Sequence, residues 1–183
     1  MSTELHWLTL TELAAKLRAR EVSPVEATDA LLARIDALEP ALGAYVTVTT
    51  EYARGRARQA ESEIAAGRYL GPLHGVPIAV KDLCYTTFAP TSGGMAIHKD
   101  FIANENATVV DRLEAAGAVI LGKLKLTEGA YANHHPSVEP PRNPWNADRW
   151  TGVSSSGSGV ATAAAMCFAS LGSDTGGSIR FPS

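Results

Sequence analysis

The sequence predicts an α/β fold in which a helical N-terminal layer lies against a sheet, and three features predict it. Apolar residues in the first seventy positions recur at helical spacing, while Val76–Val80 and Ala118–Leu121 are short unbroken apolar runs of the kind a buried strand needs. The second run follows directly on a helical segment, which makes a helix-to-strand crossover unit. With 183 residues, 45% of them hydrophobic and 19% charged, the chain can bury a sizeable core as one globular domain. We expect residues 1–70 to form the helical layer and residues 71–183 the first part of the α/β unit, with no internal repeat and no low-complexity linker.

The elements follow in order. Thr9 and Glu12 form a T-x-x-E capping box ahead of Leu10, Leu13 and Leu17, predicting a helix that ends near Arg20. Ser23 as N-cap, Pro24 at the first helical position and Glu26 open a second helix, striped by Thr28, Leu31, Leu32, Ile35 and Leu38 and expected to stop at Pro40. After extended Tyr45–Val48, Ala53, Ala57, Ala60 and Ile64 share one face of a helix from about Thr50 to Ala66, with Gly67 suited to its C-terminal cap. Turn chemistry at Gly71–Gly75 leads into a strand that ends at Lys81. Asn106 is expected to cap a helix from Thr108 to Gly117, before a strand over Ala118–Gly122. The stretch Tyr131–Gly152, holding Pro136, Pro140, Pro141 and Pro144, reads as a long surface loop. Ser154–Gly159 reads as a serine-glycine loop, followed by a helix around Val160–Met166, a strand near Phe168–Gly172 and a second loop, Ser173–Ser178. The chain closes at Phe181-Pro182-Ser183 with too few strands to complete a covered sheet, so it is expected to be truncated, or completed by a missing C-terminal part or a homo-oligomer.

Composition excludes several function classes. Sixteen Lys and Arg against nineteen Asp and Glu leave a net charge of -3, without the basic footprint that nucleic acid or an anionic membrane requires. Cys84 and Cys167 lie far apart and have no His or Cys neighbours at ligand spacing, so no metal is expected and a reducing, cytoplasmic setting is. The first residues lack a basic stretch followed by an apolar one, and no later run reaches the roughly 18 to 20 apolar residues that span a bilayer.

The residues with chemical potential are few. Gly176-Gly177-Ser178 offers a hydroxyl on a backbone that can turn successive N–H groups toward one oxygen, though Gly-Gly-Ser is also a common turn. The run Ser154-Ser155-Ser156-Gly157-Ser158-Gly159 suits a solvated loop or an anion site at a helix start equally well. It has neither the G-x-S-x-G elbow nor the lysine of a phosphate-binding loop. Lys81 ends an apolar strand, so its amine either reaches out to solvent or sits desolvated, where it loses its proton more readily. Alternation points the neighbouring Asp82 to the opposite side, so that carboxylate need not neutralise it.

Taken in order, Val76-Pro77-Ile78-Ala79-Val80-Lys81-Asp82, Gly117 to Lys123, Arg142-Asn143-Pro144-Trp145-Asn146, Gly152-Val153-Ser154-Ser155-Ser156-Gly157-Ser158 and Gly172-Ser173-Asp174-Thr175-Gly176-Gly177-Ser178-Ile179-Arg180 strongly resemble the amidase signature family. The resemblance runs from about Leu8 to the last residue. It implies a mixed β-sheet flanked by helices. It also implies an amidase that splits a carbon–nitrogen bond through an acyl-enzyme, with Lys81 as general base, Ser154 as a relay preceded by a cis peptide bond, and Ser178 as nucleophile. The backbone amides of Thr175, Gly176, Gly177 and Ser178 match the family's oxyanion hole. The implied enzyme needs no metal or organic cofactor and acts on a small-molecule amide, ester or carbamate. The family commonly shows Gly-Gly-Ser-Ser-Gly-Gly where this chain has Gly152-Val153-Ser154-Ser155-Ser156-Gly157.

Other readings compete. His134 and His135 lie in the proline-rich loop and read as loop or pocket surface rather than as members of a Ser-His-Asp triad. Asp174-Thr175-Gly176 mimics an aspartic protease tripeptide but occurs once, and Asp174 is expected to brace its loop with Arg180. The alternatives in function are the glutaminase (A) subunit of a tRNA-dependent amidotransferase, whose usual polar pattern Tyr131–Pro136 departs from, and a catalytically inactive binding fragment.

Overall fold

In the computed structural model, which describes residues 5–183, both predicted capping boxes are closed. Thr9 Oγ1 accepts from the Glu12 N–H at 3.2 Å while the Glu12 carboxylate accepts from the Thr9 N–H at 2.8 Å, ahead of α1, Leu10–Ala19. Ser23 and Glu26 repeat the exchange ahead of α2, Pro24–Leu42. Each box satisfies amides that the first turn leaves open, worth about 1 kcal/mol per helix. The reading of the first residues as lacking an export signal falls in part on residues 1–4, outside the described residues.

α2 does not stop at Pro40. A proline in a helix forfeits one hydrogen bond to the carbonyl four residues back, and in the last turn little structure lies beyond to be disrupted. Gly43, at φ 60°, ends the helix instead, its N–H reaching Glu39 O at 2.8 Å.

The remaining regular elements are β1 (Tyr45–Val48), α3 (Thr50–Ala65), β2 (Pro77–Lys81), α4 (Thr108–Ala115), β3 (Val119–Leu124), α5 (Ser156–Ala163) and β4 (Ser170–Leu171). Single 3-10 turns at Leu5–Trp7, Ala96–His98 and Glu128–Ala130 punctuate the loops. The sheet runs β1-β3-β2-β4, with β1 antiparallel to β3 and the other pairs parallel, so it is mixed. One face packs Ala79, Val119 and Leu121 against Leu31 and Ile35 of α2, Ala53 and Ala57 of α3, and Val160 and Ala161 of α5. The other packs Ile78, Val80 and Ile120 against Leu13 and Leu17 of α1, Ala27 of α2 and Val110 of α4. Helices therefore flank the sheet on both sides.

Several further boundaries differ from expectation, among them the end of α4, at Ala115 rather than Gly117, and of β3, at Leu124 rather than Gly122. Asn106 does not cap α4; its side-chain oxygen accepts from Thr87 N–H at 2.8 Å and its nitrogen donates to Asp111 and Glu114, so it ties a loop to the helix, and Ala107 is the N-cap. α5 begins at Ser156, inside the segment read as a loop, and ends at Ala163. β4 is two residues long, although Phe168 N–H still donates to Pro77 O and Ala79 N–H to Ala169 O, both at 3.1 Å.

β3 carries an irregularity that shapes the site. Ile78 pairs with Ile120 but Val80 pairs with Lys123, so β3 inserts one extra residue. The insertion inverts its alternation: Leu121 and Leu124 both join the α2/α3/α5 face, and Lys123 turns to the other. Gly122 stands there because a Cβ would lie 2.2 Å from the Thr47 carbonyl oxygen. Among the described residues, no helix is long and apolar enough to cross a membrane.

Candidate active site

Lys81 is the last residue of β2, and alternation sets its side chain on the same face as Ala79, toward α5. It is 0% exposed. Its Nζ donates to Ser154 Oγ at 2.6 Å, Ser173 Oγ at 2.8 Å and Ser155 Oγ at 2.9 Å. No carboxylate is among these partners, so the charged form gains dipoles in place of lost water but no counter-ion. Burial accordingly pushes the Lys81 pKa down to about 8, against a smaller upward pull from Cys84 and Asp174.

The three hydroxyls are not equivalent. Ser155 Oγ also donates to Ser173 O and accepts from Ser173 N–H, both at 3.2 Å, so its proton is already committed. An ammonium offers three N–H groups, but a neutral amine offers two and a lone pair, so one hydroxyl must then turn and donate to nitrogen. Ser154, with the shortest contact, is suited to do so.

Asp82 lies on the other side, as alternation predicts. Its Oδ2 accepts from Ser92 N–H at 2.9 Å and Ser92 Oγ–H at 2.6 Å, and its Oδ1 is 3.0 Å from Lys123 Nζ. Lys123 Nζ donates to Thr91 Oγ1, Pro90 O and Thr86 Oγ1, completing a buried network under the loop that follows Lys81. The irregularity at Gly122 is what brings Lys123 to this side, and Asp82 is thereby occupied away from Lys81.

The Val153–Ser154 peptide bond is cis. Ser154, Ser155 and Ser156 are all buried at the start of α5. Close approach requires glycine at 157: a Cβ there would meet Ala44 O at 2.5 Å and Lys125 N at 2.6 Å, and Gly157 N–H donates to Lys125 O at 3.0 Å. Gly157→Ala is expected to destabilise the fold by about 1 to 3 kcal/mol through overpacking against backbone that cannot move aside, read as a lower denaturation midpoint at unchanged m.

Ser178 is partly buried, and its carbonyl accepts from Ser155 N–H at 3.1 Å. The two loops are thus joined, while the Ser178 hydroxyl stays outside the shell of Lys81 Nζ. Asp174 braces the second loop: its carboxylate accepts from Gly177 N–H (2.7 Å), Ile179 N–H (3.0 Å) and Arg180 N–H (3.2 Å), and from Arg180 Nε and Nη2 (3.0 and 2.8 Å). Arg180 first and these amides next hold its carboxyl far below the usual range. Of the four amides read as an oxyanion hole, Gly177 N–H is therefore taken by Asp174. Those of Thr175, Gly176 and Ser178 have no protein partner among the described residues.

Sequence reasoning missed Ser155 and Ser173 as partners of Lys81, because their 74- and 92-residue separations from it leave no local signal. It also missed the contact of His134 Nε2 with Ser156 Oγ at 3.2 Å. Both cysteines are free thiols, and among the described residues no group of three or more His, Cys, Asp or Glu side chains gathers in a metal-ligating set.

Residues 26–183 match the family described as Amidase. The chain belongs to the amidase signature family. It is 58% identical over 175 residues to a Mycobacterium tuberculosis protein named "Putative amidase AmiD", covering 96% of this chain and 37% of that one. It is 46% identical over 182 residues to the A-type subunit of glutamyl-tRNA(Gln) amidotransferase from Chloroflexus aurantiacus, covering 98% of this chain and again 37% of the relative. The solved peptide amidase of Stenotrophomonas maltophilia superposes with a TM-score of 0.87 at 34% identity, over 95% of this chain and 37% of the enzyme. The mixed sheet flanked by helices is thus the fold of this family, and the chain spans 37% of the length of these curated relatives.

Proposed function

We propose that the chain carries the nucleophile and proton relay of an amidase that splits a carbon–nitrogen bond through an acyl-enzyme on Ser178. The observation that carries the reading is the buried Lys81 amine, 2.6 Å from Ser154 Oγ with its pKa lowered to about 8. Neutral Lys81 takes the Ser154 proton as Ser154 takes that of Ser178, and Ser178 Oγ attacks the substrate carbonyl carbon. The oxyanion is received by the amides of Thr175, Gly176 and Ser178, while Gly177, held by Asp174, fixes the turn between them. Collapse breaks the C–N bond, and the proton returns through Ser154 to the departing amine. Water then enters by the same relay and releases the acid, regenerating Ser178. Every step uses side chains and backbone of this chain, with a small-molecule amide, ester or carbamate as substrate and neither metal nor organic cofactor consumed.

The identity of 46% to a component of an amidotransferase favours a second reading, in which the amide is glutamine and the ammonia passes to a partner. The higher identity to the mycobacterial protein, 58%, and the superposition on a peptide amidase favour the hydrolase. A panel of amides and esters given to the intact protein, with mass spectrometry of the trapped adduct, tests both. Acylation at Ser178 with amide turnover that needs no partner supports the amidase. Turnover confined to glutamine and dependent on a second protein supports the amidotransferase. An intact protein that labels nowhere and turns over nothing is a binder.

A further inference from the structure

We infer that His134, through Ser156, is a positioning residue that holds the serine run against Lys81; the inference rests on the proton-relay reading above. The segment 127–134 straps this run at two points. Thr127 N–H donates to the Ser154 carbonyl at 3.3 Å, and His134 Nε2 meets Ser156 Oγ at 3.2 Å. The strap is itself held in shape, since Glu128 N–H donates to Asn133 O and Gly129 N–H to Gly93 O, both at 2.9 Å. Between its two ends lie Ser154 and Ser155, whose hydroxyls are on the Lys81 nitrogen.

Ser156 is fully buried at the first position of α5 and immediately follows these two serines. Its hydroxyl does not touch Lys81, and the His134 ring is its side-chain partner. A shift of Ser156 carries Ser155 and Ser154 with it through two peptide bonds. A displacement of about 1 Å between reacting groups can cost on the order of 100-fold in rate. Burial first, and Lys125 just past the end of β3 second, lower the His134 pKa, and both favour the neutral ring. The other nitrogen, Nδ1, is buried without a protein partner, so a second proton there would be left unsatisfied.

The test compares His134→Phe, which keeps a ring without the bond, with His134→Gln, whose amide reaches the position of Nε2, and with Ser156→Ala, all in the intact protein. His134→Phe and Ser156→Ala are each expected to lower kcat about 10- to 100-fold with little change in KM, and their double variant to lose no more than either alone. His134→Gln is expected to recover most of kcat. In the Phe and Ala variants the ascending limb of the pH profile moves up from about 8 toward the ordinary lysine value of 10.5, because the cage around Lys81 loosens. Wild-type kcat and an unmoved limb in both variants, or additive losses in the double variant, would overturn the inference. Should Lys81→Met instead retain full activity, the relay itself fails and these variants no longer bear on the strap.

Discussion

Ser178→Ala is expected to lower kcat/KM by roughly 10⁵- to 10⁶-fold while leaving the fold intact. If Ser178 is the proposed nucleophile, its removal forfeits nearly the whole advantage of covalent catalysis, because nucleophile and base act as one unit. The fold survives because the Ser178 hydroxyl has no hydrogen-bond partner among the described residues. The loop is shaped by Asp174, through five hydrogen bonds to Gly177, Ile179 and Arg180, and by the Ser178 carbonyl, which the substitution keeps. Steady-state kinetics beside a thermal melt separate the two effects. An unchanged melt with no acyl adduct supports the assignment, and normal turnover removes Ser178 from the mechanism.

On the proposed mechanism, Lys81→Met is expected to lower kcat/KM about 10⁴-fold, at the upper end of what a positioned general base contributes, because it would end the relay for Ser154 and Ser178 together. Stability moves the other way, and the sign follows from the lowered pKa. Unfolded, the amine binds a proton up to about 10.5; folded, only to about 8. Between those values the unfolded chain holds the extra proton, so stability rises with pH across the window and is fully gained above about 10.5. Below about 8 the fold carries the cost of a buried charge without a counter-ion. Methionine has similar length and no charge, so at pH 7 the inactive variant is expected to melt no lower than the parent. Activity of the parent should climb with pH through about 8, as the neutral base accumulates.

Much of this arrangement was legible in the sequence because its causes are local. A capping box spans four residues, and both boxes at Thr9 and Ser23 close as read. The strand ending in Lys81 is an unbroken apolar run, and alternation alone separates Lys81 from Asp82. The order of motifs along the chain is that of the amidase signature family. What the sequence hid depends on partners brought from far away. Serines and glycines favour loops by propensity, yet Ser156–Ala163 is a helix because Val160 and Ala161 are buried against the sheet and Gly157 admits the backbone of Ala44 and Lys125. The pairing of Lys123 with Asp82 was hidden because one inserted residue in β3 reverses the side on which Lys123 emerges. Pro40 misled because its position in the last turn of α2, which makes it tolerable, is set by Gly43 beyond it.

The reaction proposed here requires an amine that sheds its proton near neutrality within reach of a serine. Direct titration of Lys81 in the intact protein, by carbon-13 NMR of the lysine Cε resonances with Lys81→Met to assign the signal, measures that property without reference to any substrate. A midpoint near 8 is the result expected. A midpoint at the ordinary value of about 10.5 would leave the amine charged at working pH and contradict its role as the base.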